Sequence, residues 1–148
     1  MVHDLKYRER TQIAELFASL VGQMLDRRRV QVDALVPVPL SPRRASERGF
    51  NQAALVATAL GTANGVAVIP AALIRTRETP PQVGRTAADR QKNVAGAFSC
   101  PEPIRVAGKR LLLIDDVATT GATVTACAEA LKAAGAARVY AAVVAREM

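Results

Sequence analysis

Apolar residues recur at steps of three and four between residues 8 and 28, where Ile13, Leu16, Phe17, Leu20, Val21, Met24 and Leu25 follow one another on one side of a 3.6-residue repeat. The spacing predicts an amphipathic helix. Residues 33–38 form a short apolar run whose Pro37 and Pro39 cannot donate to a sheet ladder, so a strand should end there and open into a loop over 41–49. Residues 51–60, with Ala54, Leu55, Val56 and Ala59, predict a second helix, which Gly61 would stop. Residues 66–69 and 71–74 are short strand candidates separated by Pro70.

Beyond residue 74 the pattern turns polar. Residues 75–93 carry Pro80, Pro81 and Gly84, and only 86–92 could form a helical turn, so the stretch reads as a long mobile loop of the kind that serves function. A short strand over 95–98 precedes the run of 110–115, fully apolar apart from its ends, whose LLLI core suits a strand buried on both faces. A helix over 121–134, closed by Gly135, and a last strand over 138–144 complete the series. Strands alternating with helices predict one α/β domain over residues 1–148, with a parallel sheet covered on both sides. Residues 1–30 form an amino-terminal helical segment and 31–148 the core.

Composition narrows the chemistry. The chain is 148 residues long and 50% hydrophobic, enough to bury a core without disulfides or a structural metal. Its amino terminus is charged and no apolar run approaches the roughly 18 residues of a membrane helix, which predicts a cytoplasmic protein without membrane contact. His3 is the single histidine, and Cys100 and Cys127 are the two cysteines. Cys/His zinc sites and Ser-His-Asp hydrolases are therefore excluded, save for a role of His3 as base. Both cysteines read as small core residues.

Lysine plus arginine totals 20 against 13 acidic residues, for a net charge of +7. Lys6, Lys92, Lys109 and Lys132 are the lysines, so 20 − 4 leaves 16 arginines. A planar guanidinium grips phosphate through two parallel hydrogen bonds, which points to a phosphorylated ligand or nucleic acid; a codon bias towards Ala and Arg accounts for the composition equally well.

The most informative stretch is LLLIDDVATTGAT at residues 111–123. A buried strand there meets two carboxylates, passes through a Thr/Gly turn and enters a helix, the place where α/β sheets bind ligands. The helix start offers backbone N–H groups and a positive dipole end to an anion. Thr119, Thr120 and Thr123 add hydroxyls, and Gly121 lets the backbone come close and curl around a phosphate. Asp115 and Asp116 can accept hydrogen bonds from vicinal hydroxyls, so the segment suits a ribose 5-phosphate; helix capping alone would ask for one carboxylate in the first turn. A Walker A loop would need a Gly-Lys-Thr run and a dinucleotide fingerprint three glycines, and neither is present.

LLLIDDVATTGAT resembles the phosphoribosyl pyrophosphate (PRPP) binding motif of type I phosphoribosyltransferases. VPVPLSPRRASERGFNQA at 36–53, together with Gln82, Arg90, Asn93 and Gly96-Ala97-Phe98, is similar to the ComF subfamily, which is amidophosphoribosyltransferase-like and associated with competence for DNA uptake. The likeness covers nearly the whole chain. The family's usual amino-terminal four-cysteine zinc module is lacking, which marks a short member or a shortened chain.

The resemblance implies that Asp115 and Asp116 hold the ribose hydroxyls, and that Val117, Ala118, Thr119, Thr120, Gly121, Ala122 and Thr123 form the 5-phosphate loop. Pro39, Leu40, Arg43, Arg44 and Arg48 would form the pyrophosphate loop, with a solvated basic turn as the alternative. Asn51 stands at a helix start, where capping explains it as well. Gln82, Arg85 and Arg90, with the catalytic candidates Arg75 and Arg77, fall in a segment resembling a hood that closes over the phosphates. The implied activity is transfer of phosphoribosyl from PRPP to a nitrogen acceptor with release of pyrophosphate, with Mg²⁺ accompanying PRPP and no metal held by protein ligands directly. The alternative is a non-catalytic PRPP-binding or DNA-uptake accessory protein. A weak electrostatic contact with nucleic acid and a homo-oligomer complete the expected partners. Phe50, Phe98 and Tyr140 are expected to pack rather than to stack on a base.

Overall fold

A computed structural model of the chain describes residues 2–40, 46, 50–76, 96–118 and 121–146. Helix α1 spans Val2–Arg28, longer than the apolar periodicity alone predicts. Strand β1 (Ala34–Pro37) ends on its first proline, as the missing N–H requires. Helix α2 (Gln52–Asn64) is followed by the two-residue strands β2 (Ala67–Val68) and β3 (Ile74–Arg75). Strand β4 (Phe98–Ser99) and a 3₁₀ turn at Pro103–Arg105 lead to the long strand β5 (Arg110–Ala118), helix α3 (Ala122–Ala133) and strand β6 (Arg138–Arg146).

Four strands form one parallel sheet in the order β2-β1-β5-β6, while β3 and β4 pair antiparallel as a separate ribbon. Side chains alternate across the central strands with the expected period of two. On one face Ala34, Val36, Leu111 and Leu113 pack with Ala126, Cys127 and Leu131 of α3 and with Phe98 of β4. On the other, Leu35, Leu112 and Ile114 pack with Ala14, Ala18 and Val21 of α1 and with Val56, Ala57 and Leu60 of α2. Helices thus cover both faces, and the α/β expectation holds.

Several boundaries differ from the sequence reading. Gly61 does not stop α2, which runs on to Asn64 and ends at Gly65 with φ of +66°. Gly61 is there for close approach: a Cβ would fall 2.7 Å from the Val66 carbonyl oxygen and 2.9 Å from Cγ2 of Val68 on β2. Residues 71–73 are not strand, and each strand of the β3/β4 ribbon starts three residues later than predicted and ends one residue later. Strand β5 continues three residues past Asp115 because β6 is long enough to pair with it, Val117 with Ala145 and Ala118 with Arg146. The loop expected over 41–49, Ser46 aside, and the helical turn expected over 86–92 lie outside the described residues.

Candidate functional site

The sheet order sets the location. From β1 the chain crosses through α2 to β2 on one side, and from β5 it crosses through α3 to β6 on the other. The two crossovers cover opposite faces of the sheet. Between the carboxyl ends of β1 and β5 the connections diverge, leaving the crevice in which open α/β sheets bind ligands. Pro37 is in register with Ile114, and the Val38 N–H donates to the Ile114 carbonyl at 2.8 Å. Residues 38–40 and the Asp115-Asp116 pair therefore leave the sheet side by side.

Both carboxylates are buried, with 6% of Asp115 and 7% of Asp116 exposed. Burying a carboxylate without a partner costs several kcal/mol, and neither of these two is without one. The Asp116 backbone N–H donates to Oδ1 of Asp115 at 2.9 Å, which fixes one rotamer of the pair.

After β5 the chain passes Gly121, the N-cap of α3, in the left-handed region at φ of +79°. A glycine is needed for that turn of the backbone. A Cβ there would meet no protein atom within 4 Å, so within the chain itself it is the dihedral that asks for glycine. Gly121 supplies no side-chain acceptor to the first turn of α3, and the positive end of the helix dipole opens at the carboxyl edge of the sheet. Ala122 and Thr123 lie in that first turn. Val117 and Ala118, expected in the phosphate loop, are strand residues instead. Thr119 and Thr120 lie outside the described residues.

On the β1 side, Pro39 and Leu40 are half-buried coil leaving the strand. Asn51 ties that connection at both ends. Its Oδ1 accepts from the Ala53 and Ala54 N–H groups at 3.0 and 3.4 Å, capping α2, while its Nδ2 donates to the Val38 carbonyl at 3.1 Å. The segment between β1 and α2 is thus closed at its neck. Arg10 of α1 stacks over the Phe50 ring at 4.0 Å from its centroid, a second tie that sequence reasoning missed, because nothing in the local pattern marks a pair 40 residues apart. Arg43, Arg44 and Arg48 lie outside the described residues.

Arg75 is on strand β3, not in the following loop, because it pairs with Phe98 across the ribbon. Its guanidinium lies 4.6 Å from the Phe98 ring centroid. Burial pushes the Cys127 thiol up to about 12; the Asp115 carboxylate adds to that rise and the Arg75 cation opposes it. Arg75 and Asp115 therefore share the neighbourhood of one buried sulfur, whereas Arg77, Gln82, Arg85 and Arg90 lie outside the described residues. The rings pack as expected: Phe98 is in the core, Tyr140 borders the face shared with α1 and α2, and Phe50 carries Arg10. Among the described residues no group of three or more His, Cys, Asp or Glu could hold a metal ion, and no helix is long and apolar enough to cross a membrane.

Comparisons with known proteins agree with this geometry. Residues 13–148 match the family described as the phosphoribosyl transferase domain. The chain is 37% identical over 144 residues to the DNA utilization protein YhgH of Salmonella typhi, covering 94% of this chain and 63% of that one. It is 34% identical over 104 residues to Competence protein F of Haemophilus influenzae, covering 70% and 45%. It thus spans less than two thirds of the length of either relative. Among solved structures, the glutamine PRPP amidotransferase of B. subtilis superposes with a TM-score of 0.57 at 21% identity, over 91% of this chain and 26% of that one. The Trypanosoma cruzi hypoxanthine phosphoribosyl transferase gives 0.54 at 13% identity, over 95% and 74%, a likeness of fold alone. The chain belongs to the phosphoribosyl transferase domain family.

Proposed function

We propose that the crevice between β1 and β5 binds PRPP and that the protein transfers its phosphoribosyl group to a nitrogen acceptor. The observation carrying this reading is the buried Asp115-Asp116 pair at the carboxyl end of β5, placed where the crossovers diverge and followed by a helix start. Carboxylates accept hydrogen bonds only, so the pair suits ribose hydroxyls and repels a phosphate. The phosphate belongs at the start of α3, where the dipole favours negative charge. Residues 38–50, closed by Asn51, would face the pyrophosphate, with Arg43, Arg44 and Arg48 in the role the family resemblance gives them.

In the reaction the bond between the anomeric carbon and the pyrophosphate oxygen breaks, and a bond from the acceptor nitrogen forms as that nitrogen releases a proton. The departing pyrophosphate takes the electron pair, so cationic groups around it lower the barrier most. Mg²⁺ would enter with PRPP and, when bound, would supply positive charge to the leaving pyrophosphate. Asp115 and Asp116 would orient the ribose hydroxyls beside it. We place the protein in the cytoplasm, where PRPP is available.

A second reading, a PRPP-binding accessory to DNA uptake without turnover, is favoured by the names of the relatives, DNA utilization protein and Competence protein F. One experiment separates the two. PRPP with Mg²⁺ at about 100 times its dissociation constant should stabilise the fold by roughly 2.7 kcal/mol, a rise of about 5–10 °C in melting temperature. Asp115→Asn with Asp116→Asn should remove most of that rise. Pyrophosphate release in the presence of ammonia or one of a panel of nucleobases supports transfer; binding without release supports the accessory reading. No thermal shift at millimolar PRPP sinks both.

A further inference from the structure

Helix α1 carries two apolar rows. Ala14, Ala18 and Val21 are buried against α2 and the sheet, which is the face an amphipathic helix is expected to cover. Ile13, Leu16, Leu20 and Met24 form a second row roughly a third of a turn away, and they remain 48–60% exposed. Spaced by three, four and four residues, they make one continuous seam along the helix. Four large apolar side chains in line differ from the scattered surface leucines of an ordinary monomer.

The seam is bracketed by charge. Glu9 precedes Ile13 by four residues and Arg27 follows Met24 by three, so both lie in line with the row, and both are exposed. Neither forms an ion pair with any described residue. Between Glu9 and Arg27 the arrangement is symmetric under reversal about residue 18: these two lie nine residues to either side, Leu16 and Leu20 two, and Ile13 and Met24 five and six, while Leu5, 59% exposed, lies one turn beyond Glu9. A surface that reproduces itself when turned end for end is what a two-fold contact between identical chains requires.

We propose that α1 is a dimerisation helix, packing antiparallel on α1 of a second copy of this chain. In that pairing Leu16 lies against the partner's Leu20, Ile13 against the partner's Met24, and Glu9 against the partner's Arg27, each contact made twice. A parallel pairing would set like charges beside each other at both ends, which fixes the direction. A single helix seam belongs to the small interface class, so the dimer forms in the micromolar range. Through Arg10 and Phe50 the same helix touches the end of the segment between β1 and α2, so the seam lies one contact away from the proposed pyrophosphate site.

Sedimentation velocity of the 148-residue chain from about 1 to 200 μM tests the proposal, with a concentration-dependent shift from monomer to dimer expected in that range. Leu16→Glu with Leu20→Glu should hold the chain monomeric throughout, with unchanged circular dichroism because both side chains are exposed. Should that variant misfold, the charge reversals decide. Glu9→Arg alone should weaken association about tenfold, and Glu9→Arg combined with Arg27→Glu should restore it to within about twofold. A monomer at every concentration overturns the proposal, as does a dimer indifferent to Leu16 and Leu20. A double reversal no better than the single one overturns the antiparallel arrangement.

Discussion

Asp33 and Arg110 show how a single pair can register a sheet. The Arg110 backbone N–H donates to Oδ2 of Asp33 at 2.7 Å, its Nε to the same oxygen at 3.1 Å, and a terminal nitrogen to Oδ1 at 2.9 Å. In return the Asp33 N–H donates to the Arg110 carbonyl at 2.7 Å. The Arg110 side chain, and after it the Arg110 backbone N–H, lower the Asp33 carboxyl from 3.8 to about 2. A carboxyl depressed in the folded state contributes stability that is present above its unfolded value and lost as pH falls through the folded one. The contribution of Asp33 is therefore whole above about pH 5 and gone below about pH 2. Urea midpoints of the wild type and Asp33→Asn should differ most at pH 5–7 and converge towards pH 2, and a constant gap across the range would show that the carboxylate charge plays no part. The pair is solvent-exposed, so added salt should narrow the gap.

Helix α2 marks where local sequence stops being informative. Its start was legible, since Asn51 is a strong N-cap type and caps as expected. Its end was not, because Gly61 and Gly65 look alike locally and differ only in what stands opposite: the Val66 carbonyl and Val68 for one, open space for the other. The same holds elsewhere. The apolar run of β5, the Asp-Asp pair that follows it within the strand and the glycine before α3 were readable from residue order, and the structure sets them in that succession at the carboxyl edge of the sheet. The extension of β5 through Val117 and Ala118 depends on a partner strand, and the Arg10–Phe50 stack on a distant helix, so neither leaves a local trace. Gly61→Ala tests the distinction. The added methyl gains up to about 1 kcal/mol of helix propensity but collides with backbone, so a net loss of roughly 1–3 kcal/mol is expected, seen as a melting temperature lower by about 2–10 °C. An unchanged or higher melting temperature would mean that α2 can move off β2 freely.

At the scale of the whole chain, a net charge of +7 with 3% aromatic residues predicts how nucleic acid would be met. Phosphate contacts should supply the affinity, because stacking platforms for bases are scarce. Binding of fluorescent single- and double-stranded DNA should therefore weaken steeply from 50 to 200 mM salt, by about 10³-fold or more if six phosphates are neutralised, and should not depend on sequence. Tight binding that survives high salt, or a preferred sequence, would contradict this and point to a dedicated DNA site. The strand order has a consequence of another kind, in time. Asp33 and the residue it grips are 77 apart, and β1 pairs along its whole length with β5. Until β5 leaves the ribosome, α1, β1, α2 and β2 can begin to gather, but Leu35, Val56 and Leu60 lack Leu112 and Ile114 to close over them. Formation of the sheet waits on residues 110–118, so the emerging chain carries an uncovered apolar surface until they are made, and its yield in the cell depends on what shelters that surface meanwhile.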